Sequence, residues 1–147
     1  IRGDEIRVLE FNARFGDPET QVVLPLLDVK LGDLIEASIS GTLARTPVRF
    51  KDRHAITVVA ASGGYPGSYP SGYEITGLDS LPPDVIPFHA GTREENGRLY
   101  TSGGRVLALT GTGSTLKQAR DNVYESMERI HFKDMHFRRD IGHRALG

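Results

Sequence analysis

The 147-residue sequence predicts an α+β fold with an antiparallel or mixed sheet. Three observations predict it. Short β-branched runs cluster from residue 54 onward, led by "HAITVVAA" at 54–61. "ENG" at 95–97 is a hairpin signal between two such runs. One amphipathic helical pattern follows the strands instead of alternating with them.

Taken in order, residues 5–11 read as a strand, with Ile6, Val8 and Glu10 on one face and Leu9 and Phe11 on the other. Asp17-Pro18 starts a helix, with Asp17 as N-cap, Pro18 at the first helical position and Glu19 near the positive end of the dipole. "TQVVLPLLDVKL" is apolar on most sides, which predicts burial, and Pro25 should kink or divide it. Gly32-Asp33 restarts a helix with Leu31, Leu34, Ile35 and Ile39 at helical spacing and Gly41 as its stop. The polar stretch 42–53 marks a domain boundary. After the strand at 54–61, "SGGYPGSYPSGYEITGL" is too rich in Gly and Pro for a helix and long for a plain connector. Strands follow at 85–89, 98–101 and 105–110. Thr115-x-x-Gln118 is a capping box, and its helix carries Leu116, Ala119, Val123, Met127 and Ile130 along one stripe. The basic tail includes a last strand near Phe137.

Composition narrows the function. A net charge of −1 argues against a general nucleic-acid or membrane-surface binder, which needs clustered positive charge. With no cysteine there is no disulfide and no thiolate metal site. No apolar run approaches the roughly 18–20 residues of a membrane span, and the charged opening "IRGDEIRVLE" does not read as a secretory leader. The sequence starts on Ile1 and enters a strand within a few residues, so it reads as the back end of a longer chain.

The strand at 5–11 ends unusually for a core strand. Glu10, Asn12 and Arg14 recur at every second position, so an extended backbone lines them along one edge, roughly 6–7 Å apart. A carboxylate and an amide oxygen are hard donors suited to Mg²⁺. A guanidinium cannot ligate a metal, but it grips a carboxylate or phosphate through two parallel hydrogen bonds and stabilises charge developing in acyl or phosphoryl transfer. By spacing alone, a solvated strand end with an Arg–Glu pair is the favoured explanation, because E-x-N-x-R is short.

"VLEFNARFGDPETQ" resembles the signature of the glycinamide ribonucleotide synthetase (phosphoribosylamine–glycine ligase) family, of the ATP-grasp superfamily. "ITVVAASGGYPGSY", "ITGL", "FHAGT", "GGRVLALTGTG" and "RRDIGHRAL" follow in that family's order, so the resemblance covers nearly the whole chain. It implies that residues 1–50 end an ATP-grasp domain, as a strand plus helices. It implies that residues 51–147 form the ligase's C-terminal α+β domain, a small mixed or antiparallel sheet with a packed helix. It implies a cytoplasmic enzyme of purine biosynthesis that joins glycine to 5-phosphoribosylamine with ATP, through glycyl phosphate. It gives Glu10 and Asn12 as ligands of Mg²⁺ (or Mn²⁺) on the ATP phosphates and Arg14 as the catalytic group at the acyl phosphate. Its partners are ATP, glycine, 5-phosphoribosylamine and the upstream part of the same polypeptide, with neither nucleic acid nor membrane. The family's N-terminal substrate domain and the ATP-clamping strands and lysine are absent from this sequence, so these residues alone are expected to be inactive. The alternative is a non-catalytic assembly module within a multifunctional purine-synthesis polypeptide.

Other features have plainer readings beside functional ones. "SGGYPGSYPSG" could cradle a phosphate with glycine amides, or be a shaped loop packed on the domain. "GTGST" presents amides at a helix start, where capping is the simpler role. Arg138, Arg139 and Arg144 with Asp140 read as a solvated, ion-paired tail. By similarity to related ATP-grasp enzymes, Arg138 or Arg139 would instead reach the substrate phosphate. The histidines at 54, 89, 131, 136 and 143 show no ligand spacing.

Overall fold

In the computed structural model, which describes residues 8, 11 and 13–146, the architecture is built around one central strand. β6 (Arg105–Gly113) lies between β1 (His54–Ala61) and β3 (Val85–His89), antiparallel to both. Every β6 residue after Arg105 is buried. Its run of apolar and small residues suits a strand covered on both faces.

On one face Ile56, Val58 and Ala60 stand beside Gly111, Leu109 and Leu107 and pack under α3 (Leu116–Met127). Ala119, Val123 and Met127 are all fully buried there, and the chain beyond the helix adds Ile130 and Phe132. This is the predicted stripe. Thr115 caps α3 by accepting from the Gln118 amide at 3.1 Å. The returning Gln118 side chain accepts from the Ser114 amide at 2.8 Å, so the capping box closes one residue early. On the opposite face Thr57 and Thr110 share a hydroxyl hydrogen bond, and Thr110 Oγ1 donates to the Gln21 carbonyl at 2.8 Å. That bond lays α1 (Thr20–Val23) across the sheet.

A second antiparallel sheet has the order β2 (Glu74–Ile75), β5 (Arg98–Thr101), β4 (Thr92–Glu95). Asn96 and Gly97, both with positive φ (52° and 74°), make the β4–β5 hairpin turn that "ENG" announces. β4 itself, "TREE", carries no strand signal in the sequence because three of its four residues are charged and exposed.

The front of the chain departs from expectation where it is described. The strand expected at 5–11 falls largely outside the described residues. α1 begins at Thr20, not at Pro18, and Asp17 does not cap it, because its carboxylate is held by Gln21 and Arg105. Pro25 does divide the stretch, in a 3-10 turn over Leu24–Leu26, but these segments are half-buried and Val23 is 44% exposed. α2 (Leu31–Ile39) buries only Ala37, while Ile35 and Ile39 face outward. Gly41 ends it as predicted: at φ 72° it lets the Thr42 amide return to the Ala37 carbonyl at 2.8 Å and its own amide to Ser38 at 3.3 Å.

The expected last strand near Phe137 is a single bridge between Ala61 and His136. Asp134, at φ 58°, turns the chain just before it, and Phe137 then packs toward the Tyr124 ring. The tail closes with α4 (His143–Leu146). No helix among the described residues is long and apolar enough to cross a membrane.

Candidate functional site

Of the three side chains predicted along the strand edge, Glu10 and Asn12 lie outside the described residues. Arg14 is described and exposed, and its Nη1 donates to the Phe15 carbonyl at 3.1 Å. Among the described residues no group of three His, Asp or Glu could hold a metal ion.

The backbone just after Arg14 is firmly attached. Arg105, the first residue of β6, sends Nη2 to Asp17 Oδ2 at 3.1 Å and Nη1 to the Asp17 carbonyl at 3.2 Å. Asp17 Oδ1 accepts from Gln21 Nε2 at 2.8 Å. The segment that carries Arg14 is therefore stapled to the central strand three residues later. Arg105 also lines a cavity of about 200 Å³ with Tyr65, His136, Phe137 and Arg138 over a floor of Val59 and Ala61. Tyr65 and Tyr69 reach this end because Gly104 has no side chain: a Cβ there would lie 2.2 Å from the Tyr65 ring.

The two candidate phosphate ligands of the tail diverge. Arg138 holds Asp140 with two hydrogen bonds at 2.9 and 2.7 Å. The bond from Arg138 keeps the Asp140 carboxyl below its ordinary value, and the same bond raises the Arg138 pKa. Arg138 lines both the Arg105 cavity and an adjoining one of about 470 Å³ formed with His143 and Arg144. Arg139 turns away, pairing with Glu128 at 2.9 Å and covering the Phe137 ring. The structure thus sets Arg138 beside Arg105 and leaves Arg139 on the α3 side.

The plainer readings stand elsewhere. The Tyr65 and Gly67 amides bond to Ser62 and Gly64 carbonyls, so "SGGYPGSY" is a loop shaped by its own backbone. At 114–118, the Ser114 and Gln118 amides are taken by the Thr115–Gln118 cap. His89 is exposed and shares a 3.1 Å hydrogen bond with Thr92. Sequence reasoning misses Arg105 and the true use of Asp17. Their signal is a cation two residues past Gly103 and an acid in a loop, neither of which points to the other across 88 positions.

The family described as "Phosphoribosylglycinamide synthetase, C domain" matches residues 55–144. The chain is 49% identical over 144 residues to the phosphoribosylamine–glycine ligase of a Synechocystis strain, covering 97% of this chain and 34% of that one. It is 46% identical over 145 residues to the trifunctional purine biosynthetic protein adenosine-3 of Gallus gallus, covering 97% of this chain and 14% of that one. A crystal structure of phosphoribosylamine–glycine ligase from Thermotoga maritima superposes with a TM-score of 0.72 at 40% identity, covering 90% of this chain and 32% of that one. The chain spans about a third of the length of the curated single-function ligases it matches. Because the family match takes in more than half of the chain, from the first strand to the tail, this chain belongs to the phosphoribosylglycinamide synthetase C-domain family.

Proposed function

We propose that the chain is the C-terminal part of an ATP-dependent carbon–nitrogen ligase that joins glycine to 5-phosphoribosylamine. The observation that carries this reading is 45–49% identity to phosphoribosylamine–glycine ligases over nearly the whole chain. Residues 1–50 would close an ATP-grasp domain and residues 51–147 form the C-terminal domain, a division supported by the start of the family match at residue 55.

In the reaction, a glycine carboxylate oxygen attacks the γ-phosphorus of ATP, forming glycyl phosphate and releasing ADP. The amine of 5-phosphoribosylamine attacks the acyl carbon, phosphate leaves, and the nitrogen loses a proton. Arg14 would hold the carboxylate through two parallel donors and spread the negative charge that builds during both steps. Glu10 and Asn12 would hold Mg²⁺ or Mn²⁺, since a carboxylate and an amide oxygen are the hard donors these ions take. When bound, the ion neutralises phosphate charge. Arg138 or Arg139 would hold the phosphate of the amine substrate; that Arg138 lines the cavities supports Arg138, though each is paired, with Asp140 and Glu128 respectively.

The test is ATP turnover by the full-length chain with and without glycine, followed by trapping of glycinamide ribonucleotide. ATP hydrolysis that ignores glycine overturns the reading. A second reading, a non-catalytic assembly module, has one observation in its favour: relatives named as bifunctional and trifunctional purine proteins contain this region. It predicts that Arg14→Lys leaves ligase turnover unchanged.

A further inference from the structure

We propose that Arg105 is a positioning residue for the ligase reaction: with Asp17 it clamps the segment bearing Arg14 onto the central strand of the C-terminal domain. The inference rests on the proposed ligase function. Its own ground is geometric. Both terminal nitrogens of Arg105 are used on one residue, one on the Asp17 carboxylate at 3.1 Å and one on the Asp17 carbonyl at 3.2 Å. The second bond fixes backbone, not merely a side chain. The remaining Asp17 oxygen accepts from the Gln21 side chain at 2.8 Å. The Gln21 carbonyl is held by Thr110 on the same β6 strand at 2.8 Å. Residues 17–21 are thus fastened to β6 at two points, Arg105 and Thr110.

The clamp is poorly explained as a stability device. Arg105 and Asp17 side chains are 43% and 47% exposed, and pairs so exposed contribute little to folding. It lies, however, only three residues from Arg14. A reacting group displaced by about 1 Å loses roughly a hundredfold in rate, so a contact of small stability can have a large catalytic effect. Both terminal nitrogens of Arg105 are taken by Asp17, so the role assigned to it is indirect. It acts through Asp17 on where Arg14 stands.

The experiment uses the full-length chain with Arg105→Gln, Asp17→Asn, the double variant and Arg105→Lys. Two readouts are taken: steady-state kinetics, and amide exchange of a peptide covering 15–22 beside one covering α2. The clamp predicts exchange about three- to fivefold faster at 15–22 with α2 unchanged. It predicts turnover lowered roughly tenfold with the ATP Michaelis constant within about twofold. The double variant should be no worse than Arg105→Gln alone, because Asp17→Asn weakens only the carboxylate bond, which Arg105→Gln already removes along with the bond to the Asp17 carbonyl. Arg105→Lys should recover part of both losses, since one nitrogen can still reach Asp17. Unchanged exchange at 15–22 overturns the clamp. Faster exchange with undiminished turnover overturns its catalytic role. Additive losses would make Arg105 a direct ligand and also overturn it. If the wild-type chain shows no glycine-dependent turnover, the ligase reading itself fails, while the exchange readout still decides the clamp.

Discussion

A methyl group added at Gly111 would meet the backbone of α3. It would lie 2.4 Å from the Ala119 carbonyl oxygen, 2.7 Å from the Val123 amide nitrogen and 2.9 Å from Val123 Cβ. Ordinary contact begins near 3.4 Å, so helix and strand must separate by about 1 Å. These are backbone atoms and cannot rotate aside. Moving α3 outward also loosens its own Val123 and Met127 against Leu109 of β6, all three fully buried. Overpacking of this kind costs about 1–3 kcal/mol. Gly111 has no positive φ, so alanine adds no backbone strain. With the helix shift counted, Gly111→Ala is expected to cost about 2–3 kcal/mol, lowering the melting midpoint by roughly 4–12 °C for a chain of this size. The assay is a thermal melt with a urea titration of the purified chain, beside two controls. Gly97 faces open space at φ 74°, so alanine there costs about 1 kcal/mol through strain alone. Gly32, inside α2 with nothing within 4 Å, should gain up to about 1 kcal/mol. A Gly111→Ala protein as stable as the parent would refute this picture of helix–sheet contact.

Three further outcomes are expected. In the full-length ligase, Arg14→Lys should lower turnover by roughly 10²–10³ with ATP binding and denaturation midpoint nearly intact, because the exposed guanidinium bonds only to its neighbour's carbonyl among the described residues; a lowered midpoint with full turnover would make Arg14 a scaffold residue. Glu10→Gln and Asn12→Leu should raise the Mg²⁺ concentration needed for activity, and full activity of both at limiting Mg²⁺ would remove them as ligands. Asp140 should titrate below its free value because Arg138 bonds to its charged form, so its contribution is present above the unfolded carboxylate range and is lost as pH falls through the lowered folded value; Arg138→Gln should return the Asp140 midpoint upward in a carbon-detected NMR titration, and no change would mean the pair is not formed in solution.

Much of the fold is legible in the sequence because it is encoded locally. "HAITVVAA" becomes β1 over the predicted residues, since branched side chains favour the extended backbone wherever they land. The stripe from Leu116 to Ile130 and the Thr115 cap require only neighbours three and four positions apart. Gly41 and Asn96-Gly97 act through φ angles that other residues resist. The family signature, too, is a linear string of side chains, so the reading of Glu10, Asn12 and Arg14 comes from order alone.

Tertiary structure decided whatever depends on partners far apart in the chain. Asp17 has the composition and position of an N-cap, yet Arg105 is 88 positions away and takes its carboxylate, so α1 starts later than its local signals indicate. Arg138 and Arg139 are adjacent and alike, and only packing separates them, one held by Asp140 at the cavities and the other by Glu128 on α3. The basic tail has the pattern of a closing strand, but the turn at Asp134 permits one bridge to Ala61 and no more. The physical reason is common to all three. Backbone propensity is a property of a residue and its near neighbours. Which charge meets which is set by the approach of elements whose separation along the chain carries no trace of their distance in space.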